Sequence, residues 1–82
     1  MKIVVTLMDI DKAQNSKDEV QACPIYQACK RKFGEKLLGV SRRYIWLHSG
    51  KSYLLPREAV DYTIAFDRRE EVKPIQFEVE EK

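Results

Sequence analysis

Two apolar, aromatic-rich runs, Tyr44 to Leu47 and Tyr53 to Leu55, stand on either side of Ser49-Gly50, and this pattern restricts the chain more than any other feature it carries. A period of two marks strands with one buried face, and a Ser-Gly pair between two such runs is hairpin chemistry. Register then decides which side chains meet the core. A two-residue loop would pair Leu47 with Ser52 and scatter the apolar residues over both faces. A three-residue loop, His48-Ser49-Gly50 with the glycine in the left-handed region, pairs Leu47 with Lys51 and Ile45 with Tyr53 instead. The second register is expected, because it gathers Ile45, Leu47, Tyr53 and Leu55 on one face. Tyr44, Trp46, Ser52 and Leu54 then share the other, with strands running from Val40 to His48 and from Lys51 to Leu55.

Around this hairpin the remaining elements fall into order. Lys2 to Met8 crowds β-branched Ile3, Val4, Val5 and Thr6 together with both faces apolar, as in an interior strand at the centre of a sheet. Asp9 to Ala22 turns polar, with Asn15, Ser16, Lys17, Asp18 and Glu19 supplying turn residues, and reads as a long connecting loop with room for a short helical turn. Cys23-Pro24 opens a helix, since proline is tolerated in a first turn. Ile25, Ala28 and Cys29 share one face of it, and cations Lys30, Arg31 and Lys32 meet the negative end of its dipole before Gly34 stops it. Leu37 and Leu38 are expected to plug the core from the following loop.

Pro56 begins a second helix, with Ala59, Val60, Thr63, Ile64 and Phe66 near helical spacing, ending near Asp67 or Arg69. After Pro74, Ile75, Phe77 and Val79 alternate with Gln76, Glu78 and Glu80, a strand wet on one face. The expected fold class is α+β: a four-stranded, mostly antiparallel sheet with two helices on one face, in the β-α-β-β-α-β order of ferredoxin-like folds. Residues 1–80 form the domain and 81–82 a charged tail.

At 82 residues the chain has material for one core only. A core of that size is marginal, which makes a homodimer an expected state. The apolar fraction of 44% and charged fraction of 34% are those of a folded protein, not of a disordered one. The apolar run from Ile3 to Met8 is far short of the roughly 20 residues that span a bilayer, so no membrane association and a cytoplasmic location are expected. Cys23 and Cys29 are read as reduced thiols. A net charge of +2 forces no particular partner.

The chemistry-bearing residues do not assemble into a catalytic or metal set. Cys23 stands at a helix start, where the dipole can lower a thiol pKa, but nothing brings the sole histidine, His48, to it. Cys29 reads as a helix-face core residue. Two cysteines six apart and one distant histidine miss the paired spacing of tetrahedral zinc, and Asp9 with Asp11 reads as a solvated strand end. Gly34, Gly39 and Gly50 are too scattered for a phosphate loop. No cofactor is expected.

The hairpin carries the binding candidates: Arg42, Arg43, Tyr44, Trp46, His48, Lys51 and Tyr53. Aromatic faces stack on bases and guanidinium groups hold phosphates, while the same residue types anchor protein interfaces. Arg42, Tyr44 and Trp46 fall on one face by alternation, Arg43 and Tyr53 on the other. Glu78 and Glu80 share the face of Trp46 and repel phosphate, which weighs against an RNA-binding sheet, as does the missing aromatic motif of RNA-recognition domains. Lys30, Arg31, Lys32 and Lys36 form a second basic group, read as a solvated helix end that would become a phosphate patch only beside Arg42 and Arg43.

Asp9-Ile10, Cys23-Pro24-Ile25 with Ala28, Val40, Tyr53-x-Leu55-Pro56, Phe66-Asp67, Val72-x-Pro74 and Phe77 together resemble a family of short uncharacterised proteins encoded by bacteriophages and prophages. The resemblance spans most of the chain. Arg69 departs from it, standing where a glycine often follows the Phe-Asp pair. It implies a phage setting, in which many small accessory proteins disable a host factor. The expected function is a non-enzymatic binding protein that inhibits a host defence protein or sequesters a small nucleotide ligand through the hairpin surface. A nucleic-acid-binding accessory protein is the alternative.

Overall fold

The computed structural model describes residues 1–18 and 21–82. Strand β1 (Lys2–Val5) is followed by helix α1 (Leu7–Gln14) and helix α2 (Pro24–Phe33), then by a 3-10 turn over Gly34–Lys36. Strands β2 (Leu37–Val40), β3 (Tyr44–Leu47) and β4 (Ser52–Leu54) come next, then helix α3 (Arg57–Asp67) and strands β5 (Ile75–Glu78) and β6 (Glu80–Glu81). The α+β class and the antiparallel pairing match expectation; the order of elements and the sheet do not.

The first departure is at Thr6. The strand expected to reach Met8 ends at Val5, and a helix begins at Leu7, within the expected strand, and runs on through the first residues of the expected loop. Thr6 caps it: its hydroxyl accepts from the Asp9 N–H, and the Asp9 carboxylate accepts from the Thr6 N–H. This reciprocal capping box satisfies two backbone donors that a helix start leaves orphaned. Ile10 and Ala13 face the core while Leu7 and Met8 are exposed. Glu19, assigned to the expected loop, lies outside the described residues.

The second departure concerns the sheet. β1 pairs only with β5, Ile3 opposite Phe77 and Val5 opposite Ile75, in a two-stranded ladder. It is not a central strand, because only Ile3 and Val5 are buried while Val4 is 42% exposed. The other four strands form a second sheet in the order β2-β3-β4-β6. Residues 75–81 therefore serve both ladders, the first half against β1 and the second against β4, where Leu54 faces Glu80 and Tyr53 faces Glu81. Between them the Val79 N–H donates to the Met1 carbonyl. The expected charged tail is part of this ladder, since the Lys82 N–H donates to the Ser52 carbonyl at 2.8 Å.

The hairpin has the expected register. Ile45 faces Tyr53, the Leu47 N–H donates to the Lys51 carbonyl, and Gly50 takes φ 93°, a conformation that favours glycine. Val40, however, does not extend β3. Residues 41–43 turn the chain, and β2 lies antiparallel beside β3 with Val40 opposite Ile45. Leu37 and Leu38 belong to this strand, not to a loop. Leu37 is half-buried opposite Leu47, and an irregularity between Leu37 and Gly39 leaves Leu38 60% exposed.

α2 packs on β1 and β2 and against α1 and α3. Its Ile25, Ala28 and Cys29 are buried, as their spacing predicts, and it stops at Gly34 with φ 59°. Ile3, Val5, Ile25, Ile45 and Ala59 are fully enclosed, and Phe77, Val79, Leu55 and Tyr62 complete the core between sheets and helices.

Candidate functional site

The strand pairing divides the binding candidates among three places. Tyr44 and Trp46 project from β3 on the face away from the core, and their rings lie 5.2 Å apart at 39°. Pairing brings Gly39, Ser52, Leu54 and Glu80 to the same face, Gly39 and Ser52 opposite Trp46, Leu54 opposite Tyr44. Trp46 is 41% exposed. A Cβ added to Gly39 would meet nothing within 4 Å, so the strand next to the indole is open backbone. The result is a flat aromatic and aliphatic surface with a carboxylate at one side.

Arg42 and Arg43 occupy the turn that joins β2 to β3. Ser41 holds it: its hydroxyl accepts from the Tyr44 N–H at 3.0 Å. The turn breaks the strand alternation, and Arg42 does not join Tyr44 and Trp46 but stands 4.0 Å from the Asp67 carboxylate at the end of α3. Both groups are exposed, so that pair contributes little to stability. Arg43 lines a shallow cleft with Leu54, Leu55, Arg57, Val60 and Asp61.

His48, Lys51 and Tyr53 stand at the opposite end of the hairpin and belong to the other face. With Phe33, Lys36, Leu47 and Ser49 they line a cavity of about 460 Å³. The Phe33 and Tyr53 rings lie 5.9 Å apart at 22°, a near-parallel, offset aromatic wall. The His48 N–H donates to the Lys36 carbonyl at 3.0 Å and ties the hairpin tip to the 3-10 turn. Sequence reading missed Phe33 and Lys36 as members of this group, because α2 and the hairpin meet only in three dimensions. The two basic groups do not merge. Arg43 precedes β3 and Lys36 is tied to His48 beyond it, a separation of roughly 15 Å at the strand rise per residue.

The remaining polar groups are structural. Arg31, read as part of a solvated basic run, donates to Asp9 and to the Val4 carbonyl, each at 2.8 Å. Asp9 is not a solvated strand end but is 3% exposed. Burial alone would raise its pKa, yet hydrogen bonds from Arg31 and from the Thr6 N–H and hydroxyl outweigh that and hold it below the usual carboxylate value. Cys23 sits at the start of α2, where N–H groups of Tyr26 and Ile25 favour a thiolate. Burial outweighs them, and its pKa is raised. Burial pushes the Cys29 thiol further, to about 12. Among the described residues no group of three His, Cys, Asp or Glu side chains is disposed to hold a metal ion, and no helix is long and apolar enough to cross a membrane.

Comparison of the chain with protein-family models, with curated proteins and with solved structures returns no match.

Proposed function

We propose that the chain is a non-enzymatic binding protein that docks on a partner protein through the outward face of β3 and β4, in the manner of small phage proteins that disable a host factor. One observation carries this reading: Trp46, the single tryptophan, lies 41% exposed beside Tyr44 and opposite the bare backbone of Gly39. A large aromatic left in water on a flat strand surface is the residue type that anchors protein interfaces, and Leu54, opposite Tyr44, extends the apolar face. The partner surface that fits is apolar at its centre and basic at one rim, where it would meet Glu80. Raised thiol pKa values at both cysteines favour binding over nucleophilic chemistry.

Nucleic acid fits this face less well. Glu80 stands directly across from Leu54 on it, and a carboxylate there repels a phosphate backbone.

The test is capture from host extract with wild type and with a Trp46→Ala, Leu54→Ser double variant, followed by reconstitution with the purified partner. Loss of a stoichiometric complex on substitution is the expected result. An unchanged complex removes the face from consideration. Sedimentation of the chain alone distinguishes a second copy as the occupant: a dimer that Trp46→Glu converts to monomer assigns the face to self-association instead.

A further inference from the structure

We propose that the cavity at the hairpin tip, on the opposite side of the sheet from Trp46, is a binding site for a small planar anion: a heteroaromatic ring bearing phosphate, of the size of a nucleoside monophosphate. The inference is independent of the docking face, because it uses none of the residues there.

Three features give the cavity its chemistry. Its volume of about 460 Å³ lies within the range of small-ligand sites, roughly 300–1,000 Å³. One wall is aromatic: Phe33 and Tyr53, 5.9 Å apart at 22°, present a continuous π surface on which a flat ring can stack. The lining is also cationic, with Lys36 and Lys51 joined by His48 and Ser49. None of the described lining residues carries a carboxylate. Among the described residues neither lysine is engaged in an ion pair.

Backbone geometry places anion recognition on the side chains. The N–H groups of His48, Gly50 and Lys51 already donate to the Lys36 carbonyl, the Leu47 carbonyl and the Ser49 hydroxyl. The loop therefore offers no nest of these amides to a phosphate, and Lys36 and Lys51 must supply the charge. The same hydrogen bonds hold both lysine-bearing segments in fixed relation before any ligand arrives, which lowers the ordering cost of binding.

The cavity differs from the larger cleft of about 500 Å³ between α1 and the end of α3. There Asp67 and Glu70 face Arg69 with one aromatic ring, Phe66, and the walls include Ser16 and Ala22, which flank the undescribed residues 19 and 20. A ring-bearing anion fits the hairpin cavity and not that cleft.

Titration of purified protein with AMP, CMP, adenosine and inorganic phosphate, followed by amide NMR shifts, tests the proposal. Expected are saturable shifts with AMP or CMP centred on Phe33, Lys36 and residues 48–53, with adenosine and phosphate each at least roughly tenfold weaker. A Lys36→Gln, Lys51→Gln double variant, substituted at exposed positions, should fold normally by circular dichroism and bind at least roughly tenfold more weakly. Trp46→Ala should bind like wild type. The proposal is overturned if neither nucleotide saturates at millimolar concentration, if the shifts centre elsewhere, or if adenosine binds as tightly as AMP. A cavity that fails leaves the Trp46 face untouched, and a docking face that fails leaves these titrations unchanged.

Discussion

A guanidinium nitrogen of Arg31 lies 2.8 Å from Asp9 Oδ2 and 2.8 Å from the Val4 carbonyl, so one side chain joins the first turn of α1, the last turn of α2 and strand β1. The Asp9 carboxylate also accepts from the Thr6 N–H and hydroxyl. It is the one enclosed carboxylate among the described residues, and burial, which opposes its charge, is outweighed by its hydrogen bonds to Arg31 and Thr6.

Asp9→Ala is therefore expected to lower stability by about 2–4 kcal/mol, combining a lost cap with an Arg31 left unpaired. Because the folded pKa of Asp9 lies below its ordinary 3.8, its contribution is present above that value and is lost as pH falls through the lower folded pKa. Urea midpoints recorded from pH 6 to pH 2 should show this acid decline in wild type and a shallower one in Asp9→Ala.

On the alkaline side the signs reverse. Burial raises Cys29 from 9.0 to about 12 and Tyr62 from 10.0 to about 12, with the Tyr62 hydroxyl donating to the Lys73 carbonyl. Stability from both is complete below pH 9 and is lost as pH rises toward 12. Denaturant midpoints should fall over that interval, and Tyr62→Phe should flatten part of the fall. At pH 7 both cysteines should alkylate slowly with iodoacetamide until the protein is unfolded. Rapid labelling of native Cys23 would return nucleophilic chemistry to consideration.

Arg69 takes φ 62° at the end of α3, where its N–H donates to Phe66 and the Glu70 N–H donates to Ala65. That pair of bonds is a Schellman closure, which favours glycine at its left-handed position. Arg69→Gly should stabilise by about 0.5–1 kcal/mol, read as a rise of several degrees in Tm. An unchanged or lower Tm would mean that the arginine side chain contributes more than the backbone strain costs.

Neighbouring residues of β3 should separate stability from binding. Ile45 is fully enclosed, and Ile45→Ala is expected to cost about 2–5 kcal/mol. Trp46→Ala, on the open face, should cost about 1 kcal/mol or less while removing the partner complex. Gly39→Val should raise stability slightly, since its Cβ has space, and weaken docking by filling the open backbone beside the indole. Chemical denaturation and partner capture on the same three variants check all of these.

Where the sequence alone was informative, the determinants were local. The hairpin register followed from alternation and one glycine, and α2 from Pro24, its apolar face and Gly34. α1 was hidden because its Thr6-x-x-Asp9 cap is embedded in a β-branched run, and because exposed Leu7 and Met8 spoil the helical apolar period. The double duty of residues 75–81 was hidden for another reason: the alternation of Ile75, Phe77 and Val79 says which face is buried but not which strand lies alongside. The site was legible as residue types and illegible as a place. Alternation already separated Trp46 from Tyr53, but only the packing of α2 against the sheet brought Phe33 and Lys36 to the hairpin tip.

That shared segment has a bearing on how the protein breathes. Because residues 75–81 zip to β1 at one end and to β4 at the other, detaching them releases both ladders together. Amide exchange at Val5, Ile75 and Leu54 should then report a common opening event with one free energy, while the β2–β3 pairing, which does not depend on that segment, opens on its own schedule.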